Sequence, residues 1–115
     1  MTEESPLFTK TYDLLAYLLP AVEKLPRYQR FTMGRRIQEL SWRFLDTILA
    51  ARKCTLHERP ALLHQADLTL DQLRYTVRIA NEMTLLGKNQ YAHASGLLAE
   101  VGRLLGKWLQ RYNRP

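Results

Sequence analysis

The sequence has a single cysteine, Cys54, in 115 residues. No intramolecular disulfide can hold it together, and a lone thiol fits a reducing compartment. Glycine and proline number five each, too few for a loop-dominated or low-complexity chain. Long apolar runs are also missing. The longest, Leu14 to Val22, is broken by Pro20, whereas a membrane span needs roughly 20 apolar residues. The opening Met-Thr-Glu-Glu-Ser-Pro is acidic, unlike the basic leader of a signal peptide. No membrane association is expected, and the cytoplasm is the expected location. Histidine is scarce, and none of His57, His64 and His93 has a Glu three residues before it. That removes the inward Glu-x-x-His pairs on which carboxylate-bridged metal bundles depend, so neither metal nor cofactor is expected. Acid is outnumbered: 11 Asp and Glu face 17 Lys and Arg, for a formal net charge of +6.

What is present is helical period. Phe8, Tyr12, Leu15, Leu19 and Val22 recur at steps of four and three, predicting a first helix over about 9–24 with these residues inward and a kink at Pro20. Leu25-Pro26-Arg27 reads as a stop and restart. A second helix over about 28–53 places Gly34, Ile37, Ser41, Phe44, Ile48 and Ala51 on one seam. A third begins near Pro60, with Leu63, Ala66, Leu70, Leu73, Val77 and Ala80 inward and ion pairs Asp71–Arg74 and Arg78–Glu82 on its outer face. Gly87 closes it, Asn89 offers the next N-cap, and a fourth helix follows over about 90–112. Its inward set is Leu97, Val101, Leu104 and Trp108, flanked by Leu98, Leu105 and Leu109. Short connections make neighbours antiparallel, so the expected fold class is all-α: an antiparallel up-down four-helix bundle forming one domain over 1–115, with a short tail at about 1–7.

The basic residues are mostly arginine, 12 of the 17, the side chain whose planar fork grips phosphate or carboxylate at two points. Four of them, Arg27, Arg30, Arg35 and Arg36, fall in an acid-free run at a helix start. Cations there oppose the helix dipole, and the run asks for a negative partner. A solvated face, or acids on another helix, is the plainer explanation. Arg103, Lys107, Arg111 and Arg114 form a second basic stripe with no acid after Val101. Cations are favoured in a last helical turn anyway, so this stripe also has a purely structural explanation.

Beside it runs a stripe of small residues, Ala92, Ser95, Ala99, Gly102 and Gly106. Glycine inside a helix costs roughly 0.5–1 kcal/mol relative to alanine. Two in one stripe predict a close backbone approach, either within the subunit or between subunits. Catalytic arrangements are thin. Cys54 beside Lys53 reads as an incidental thiol. Arg59 to His64, and less well Arg52 to His57, match the Arg-x4-His spacing of helical HEPN-class ribonucleases, in which Arg stabilises phosphate charge and His moves the proton.

Several ordered motifs resemble one family. They are Phe8-Thr-Lys-Thr-Tyr12-Asp-Leu-Leu, Leu18-Leu-Pro20, Leu25-Pro-Arg27, Arg30-Phe-Thr-Met-Gly34-Arg-Arg-Ile37, Leu73-Arg74, Gln90-Tyr91 and Glu100-Val-Gly102-Arg-Leu-Leu-Gly106-Lys-Trp108. Together they are similar to Avd, the accessory variability determinant proteins of diversity-generating retroelements, and to the related four-helix proteins of ribosomal RNA intervening sequences. Met33 and Lys107 depart from the usual pattern, standing where Leu and Gly are common. The resemblance implies a homopentameric ring of basic bundles that has no catalytic site, binds a reverse transcriptase, and engages RNA or DNA during mutagenic copying of a template repeat. Beside it, the basic patches themselves lead us to expect Arg27, Arg30, Arg35, Arg36, Arg103, Lys107, Arg111 and Arg114 to serve nucleic-acid or polymerase binding, and the small-residue stripe, with its flanking leucines, to help join subunits. A HEPN-like ribonuclease and a free-standing nucleic-acid-binding bundle are the alternatives.

Overall fold

A computed structural model describes residues 5–112, which are helical throughout apart from short connections. The first helix, α1 (Ser5–Glu23), buries Leu7, Thr11, Leu14, Leu15, Leu18 and Val22. This corrects the expected face. Tyr12 is 73% exposed, while Phe8 and Leu19 are only half-buried. The paired leucines at 14–15 and 18–19 support two stripes one residue apart, and the fold takes the one that carries Thr11 inward. Pro20 lies inside α1 without ending it. Both Pro20 and Ala16, whose carbonyl loses its partner there, are exposed, so water can satisfy the freed acceptor.

Pro26, with φ −52° and ψ 143°, restarts the chain into α2 (Arg27–Gln29), a single turn. A π-helical segment, Arg30–Gly34, then leads into α3 (Arg35–Lys53). The sequence pattern predicts one uninterrupted helix here, whereas the structure widens its first turns. Gly34, the last residue of the π-helical segment, packs closely against the end of α1. A Cβ at that position would lie 2.9 Å from Val22 Cγ1 and 3.5 Å from Leu25 Cδ1. Ile37, Leu40, Ser41, Phe44, Ile48 and Ala51 of α3 are buried, and the Ser41 hydroxyl donates to the Ile37 carbonyl at 2.7 Å. The seam expected for this helix is the observed one.

The same holds for α4 (Arg59–Glu82), whose Leu63, Ala66, Leu70, Leu73, Val77 and Ala80 are buried. Its end differs from expectation. The left-handed residue is Thr84, at φ 58°, not Gly87. The Leu85 N–H donates to the Ala80 carbonyl and the Thr84 N–H to that of Asn81, both at 2.9 Å, which is a Schellman closure. Gly87 instead caps α5 (Lys88–Gln110), its N–H donating to Gln90 Oε1 at 2.8 Å, and Asn89 is already inside that helix. The buried set of α5 is Ala94, Leu98, Val101, Leu105, Trp108 and Leu109. Leu97 and Leu104 flank it half-buried, a second one-residue shift at paired leucines.

Cross-helix contacts set the topology. Phe8 meets Trp108 and Tyr17 meets His93, with ring centroids 6.3 and 4.3 Å apart, so α1 and α5 are antiparallel. Arg36 Nε reaches Thr76 Oγ1 at 3.3 Å while Arg59 Nε reaches the Ala51 carbonyl at 2.7 Å, so α3 and α4 are antiparallel as well. Arg52 lies 4.2 Å over the Phe8 ring, joining the end of α3 to the start of α1. The four long helices thus form an up-down-up-down bundle around a shared leucine-rich core, a rod of 45 × 26 × 23 Å. Among the described residues, no helix is long and apolar enough to cross a membrane.

Candidate nucleic-acid interface

The acid-free run is divided by the bundle. Arg27, Arg30 and Arg35 come from α2, the π-helical segment and the start of α3, and line one open groove of about 330 Å³ with Val22, Glu23, Phe31 and Gln38. Arg36 turns the other way, its Nε donating to Thr76 on α4. Consecutive helical residues project about a quarter-turn apart, so Arg35 and Arg36 belong to different surfaces. The ion pairs of the described residues, Arg74–Asp71 and Arg103–Glu100, involve none of the three groove arginines. Glu23 is the one acid among the lining residues, and it is exposed. Three exposed guanidinium groups therefore share one groove without an ion-pair partner among the described residues.

Two aromatics share this end of the rod. Phe31 is 65% exposed and Tyr28 is 72% exposed. The sequence signal for them was their interleaving with the arginines in Arg27-Tyr28-Gln29-Arg30-Phe31, which attention to charge alone passes over.

The second stripe lies at the opposite end, near the close of α5. Arg103 is engaged in a hydrogen-bonded ion pair with Glu100. That bond holds the Glu100 carboxyl below its ordinary range, with the charges of Arg103, Lys10 and Lys107 adding to it, and holds the Arg103 guanidinium above its own. Glu100 sits one turn before Arg103, so the stripe is not as isolated from acid as its C-terminal half. Lys107 and Arg111 are exposed at this end. Arg114 lies outside the described residues. One short ligand cannot span both basic ends of a 45 Å rod.

Arg59 has a structural task. Its Nε donates to the Ala51 carbonyl at 2.7 Å and its Nη2 to that of Cys54 at 3.2 Å, which closes the C-terminus of α3. A hydrogen bond with Tyr112 holds its guanidinium above the ordinary value, with burial opposing. His64 is exposed on α4, five residues on and well round the helix from Arg59. Arg52, of the other Arg-x4-His match, lies over Phe8. Neither pair is assembled as an acid-base couple around a shared space.

On α5 the small-residue stripe lies at the surface. Ala92 and Ala99 are exposed, and Ser95, Gly102 and Gly106 half-buried. The close neighbour of Gly102 is the Arg74 guanidinium rather than a helix backbone. Arg74 Nη2 donates to the Leu98 carbonyl at 3.4 Å, and its Nη1 pairs with Asp71 at 3.8 Å. A Cβ at Gly106 would meet nothing within 4 Å. Arg78 and Glu82, expected as an ion pair, are not within pairing distance. Between α4 and α5 an open groove of about 380 Å³, lined among others by Tyr75, Tyr91, Ser95 and Ala99, runs beside the stripe.

No curated protein matches the chain. A family model described as bAvd-like matches residues 7–112, from the first buried leucine of α1 to just past the end of α5. The match takes in the Gly34 crossing, the arginine groove and the α5 stripe alike, and on it the chain belongs to the bAvd-like family of Avd-type accessory proteins.

Proposed function

We propose that this protein is a non-catalytic accessory subunit of a diversity-generating retroelement that works in the cytoplasm. It binds the element's reverse transcriptase and its RNA or DNA through a basic surface, and so supports mutagenic cDNA synthesis. The observation that carries the reading is the groove of Arg27, Arg30 and Arg35, three exposed guanidinium groups with no ion-pair partner among the described residues. Uncompensated arginines gathered in one groove gain most from a polyanion, which releases its condensed counterions on binding. Membership of the bAvd-like family supports the accessory role. The use of Arg59 as a helix cap supports the absence of catalysis by that residue. The surface placement of the small-residue stripe on α5 supports self-association, in which the stripe joins copies of the chain in a homopentameric ring.

The test is binding of RNA and DNA as a function of salt. Affinity should fall steeply, and the slope of log K against log salt should shrink by about 0.7–0.9 for each phosphate contact removed by Arg27→Gln, Arg30→Gln or Arg35→Gln. Copurification with the reverse transcriptase should weaken when Arg35 and Arg36 are reversed in charge. Salt-insensitive binding would refute the electrostatic reading.

A further inference from the structure

The arginine groove holds more than charge. Burying a phenyl ring contributes roughly 1.5–3 kcal/mol, yet Phe31 stands 65% exposed beside a bundle with an extensive apolar core. It is the second residue of the π-helical segment Arg30–Gly34. Such segments are uncommon and recur at functional sites. Arg27, Phe31 and Arg35 follow one another at steps of four residues and line the same groove. The ring therefore stands between two cationic side chains, with Arg30 beside it. Tyr28, 72% exposed, adds a second aromatic on the same stretch of chain.

That order of cation, ring and cation suits a nucleic acid whose bases are unpaired. Guanidinium groups take the phosphates, and the ring takes the face of a base. A duplex offers phosphates but keeps its base faces stacked against one another. The surplus of three unpaired arginines over one acid, Glu23, argues for a polyanion over an apolar protein helix.

We propose that Phe31 is a stacking platform for unpaired nucleotides, so that this groove takes single-stranded RNA or DNA in preference to duplex. This rests on the nucleic-acid-binding reading above and adds strandedness to it. Every base has a π face, so the platform selects unpaired over paired nucleotides with little regard to sequence.

Fluorescence anisotropy on the full chain tests it. The probes are an unstructured labelled oligonucleotide, longer than the roughly 4–16 nucleotides a single-strand site covers, and a duplex of the same length. Phe31→Leu keeps an apolar side chain but removes the π face. It should weaken single-strand binding about 5- to 150-fold, leave its salt slope unchanged because no charge is lost, and leave duplex binding unchanged. Tyr12→Leu, an equally exposed aromatic on α1 outside the groove, should change neither. Thermal melting checks that each surface variant keeps its fold.

Unchanged single-strand affinity in Phe31→Leu, or an equal loss on duplex, overturns the proposal while leaving arginine-driven binding intact. Loss of reverse-transcriptase binding with single-strand binding retained would make the ring a protein contact, which also overturns it. Failure of the unaltered protein to bind either probe would remove the nucleic-acid reading itself.

Discussion

Gly96 and Gly106 lie on the same helix, and a Cβ built on either meets no heavy atom within 4 Å. Within one subunit the only consequence of adding a methyl group is therefore helix propensity, which favours Ala over Gly by about 0.8–1.0 kcal/mol. In a chain of this size that corresponds to a rise in Tm of roughly 3–6 °C. The two positions part company once copies associate, because Gly106 belongs to the small-residue stripe and Gly96 does not. Gly96→Ala should raise Tm by the full amount at unchanged oligomer mass. Gly106→Leu should lower the mass measured by light scattering at micromolar protein, since a bulky side chain cannot enter a close helix contact. Gly102 is a poorer reporter, because a substitution there first displaces the flexible Arg74 guanidinium. If Gly106→Leu kept its mass and Gly106→Ala gained as much as Gly96→Ala, the stripe would face solvent and the assembly reasoning would be wrong.

Gly34→Ala should destabilise the bundle by roughly 1–3 kcal/mol, because its methyl group would press on Val22 Cγ1; an unchanged denaturation midpoint would show that α1 yields there at no cost. Thr84→Gly should stabilise by about 1 kcal/mol by relieving a β-branched residue of its positive φ, and a loss of stability would mean that the Thr84 hydroxyl matters more than the backbone. Arg59→Gln should cost roughly 1–2 kcal/mol as the end of α3 loses its cap. His64→Ala should leave stability, RNA binding and reverse-transcriptase binding unchanged. RNA cleavage that survives a chelator and disappears in His64→Ala would overturn the non-catalytic reading.

The seams of α3 and α4 were legible because each has only one stripe that satisfies the three-four step. At α1 and α5, paired leucines fit two stripes equally well, and hydropathy cannot choose when the true inward face includes Thr11. The close of α4 was hidden for a related reason. The left-handed position is filled by Thr84, so the nearest glycine, Gly87, drew the expectation five residues past the last helical one. Nothing in the composition of Arg30–Gly34 marks it as π-helical.

For the candidate site, the arginine run was plain but its division was not. Which of Arg35 and Arg36 enters the groove depends on where α1 packs. Glu100 was visible in the sequence, yet its pairing with Arg103 follows from their i, i+3 spacing on a formed helix. The role of Arg59 was out of reach, because its partners are backbone carbonyls of a different helix.

The placement of the two basic regions at opposite ends of the rod gives the molecule a direction. In a cyclic assembly with rods parallel to the symmetry axis, every like end falls on the same side. One face would then carry the ring of Phe31 side chains among free guanidinium groups, and the other the Glu100–Arg103 pairs and Lys107. The two faces would differ in charge compensation and in aromatic content, so such an assembly would have two chemically unlike sides about 45 Å apart.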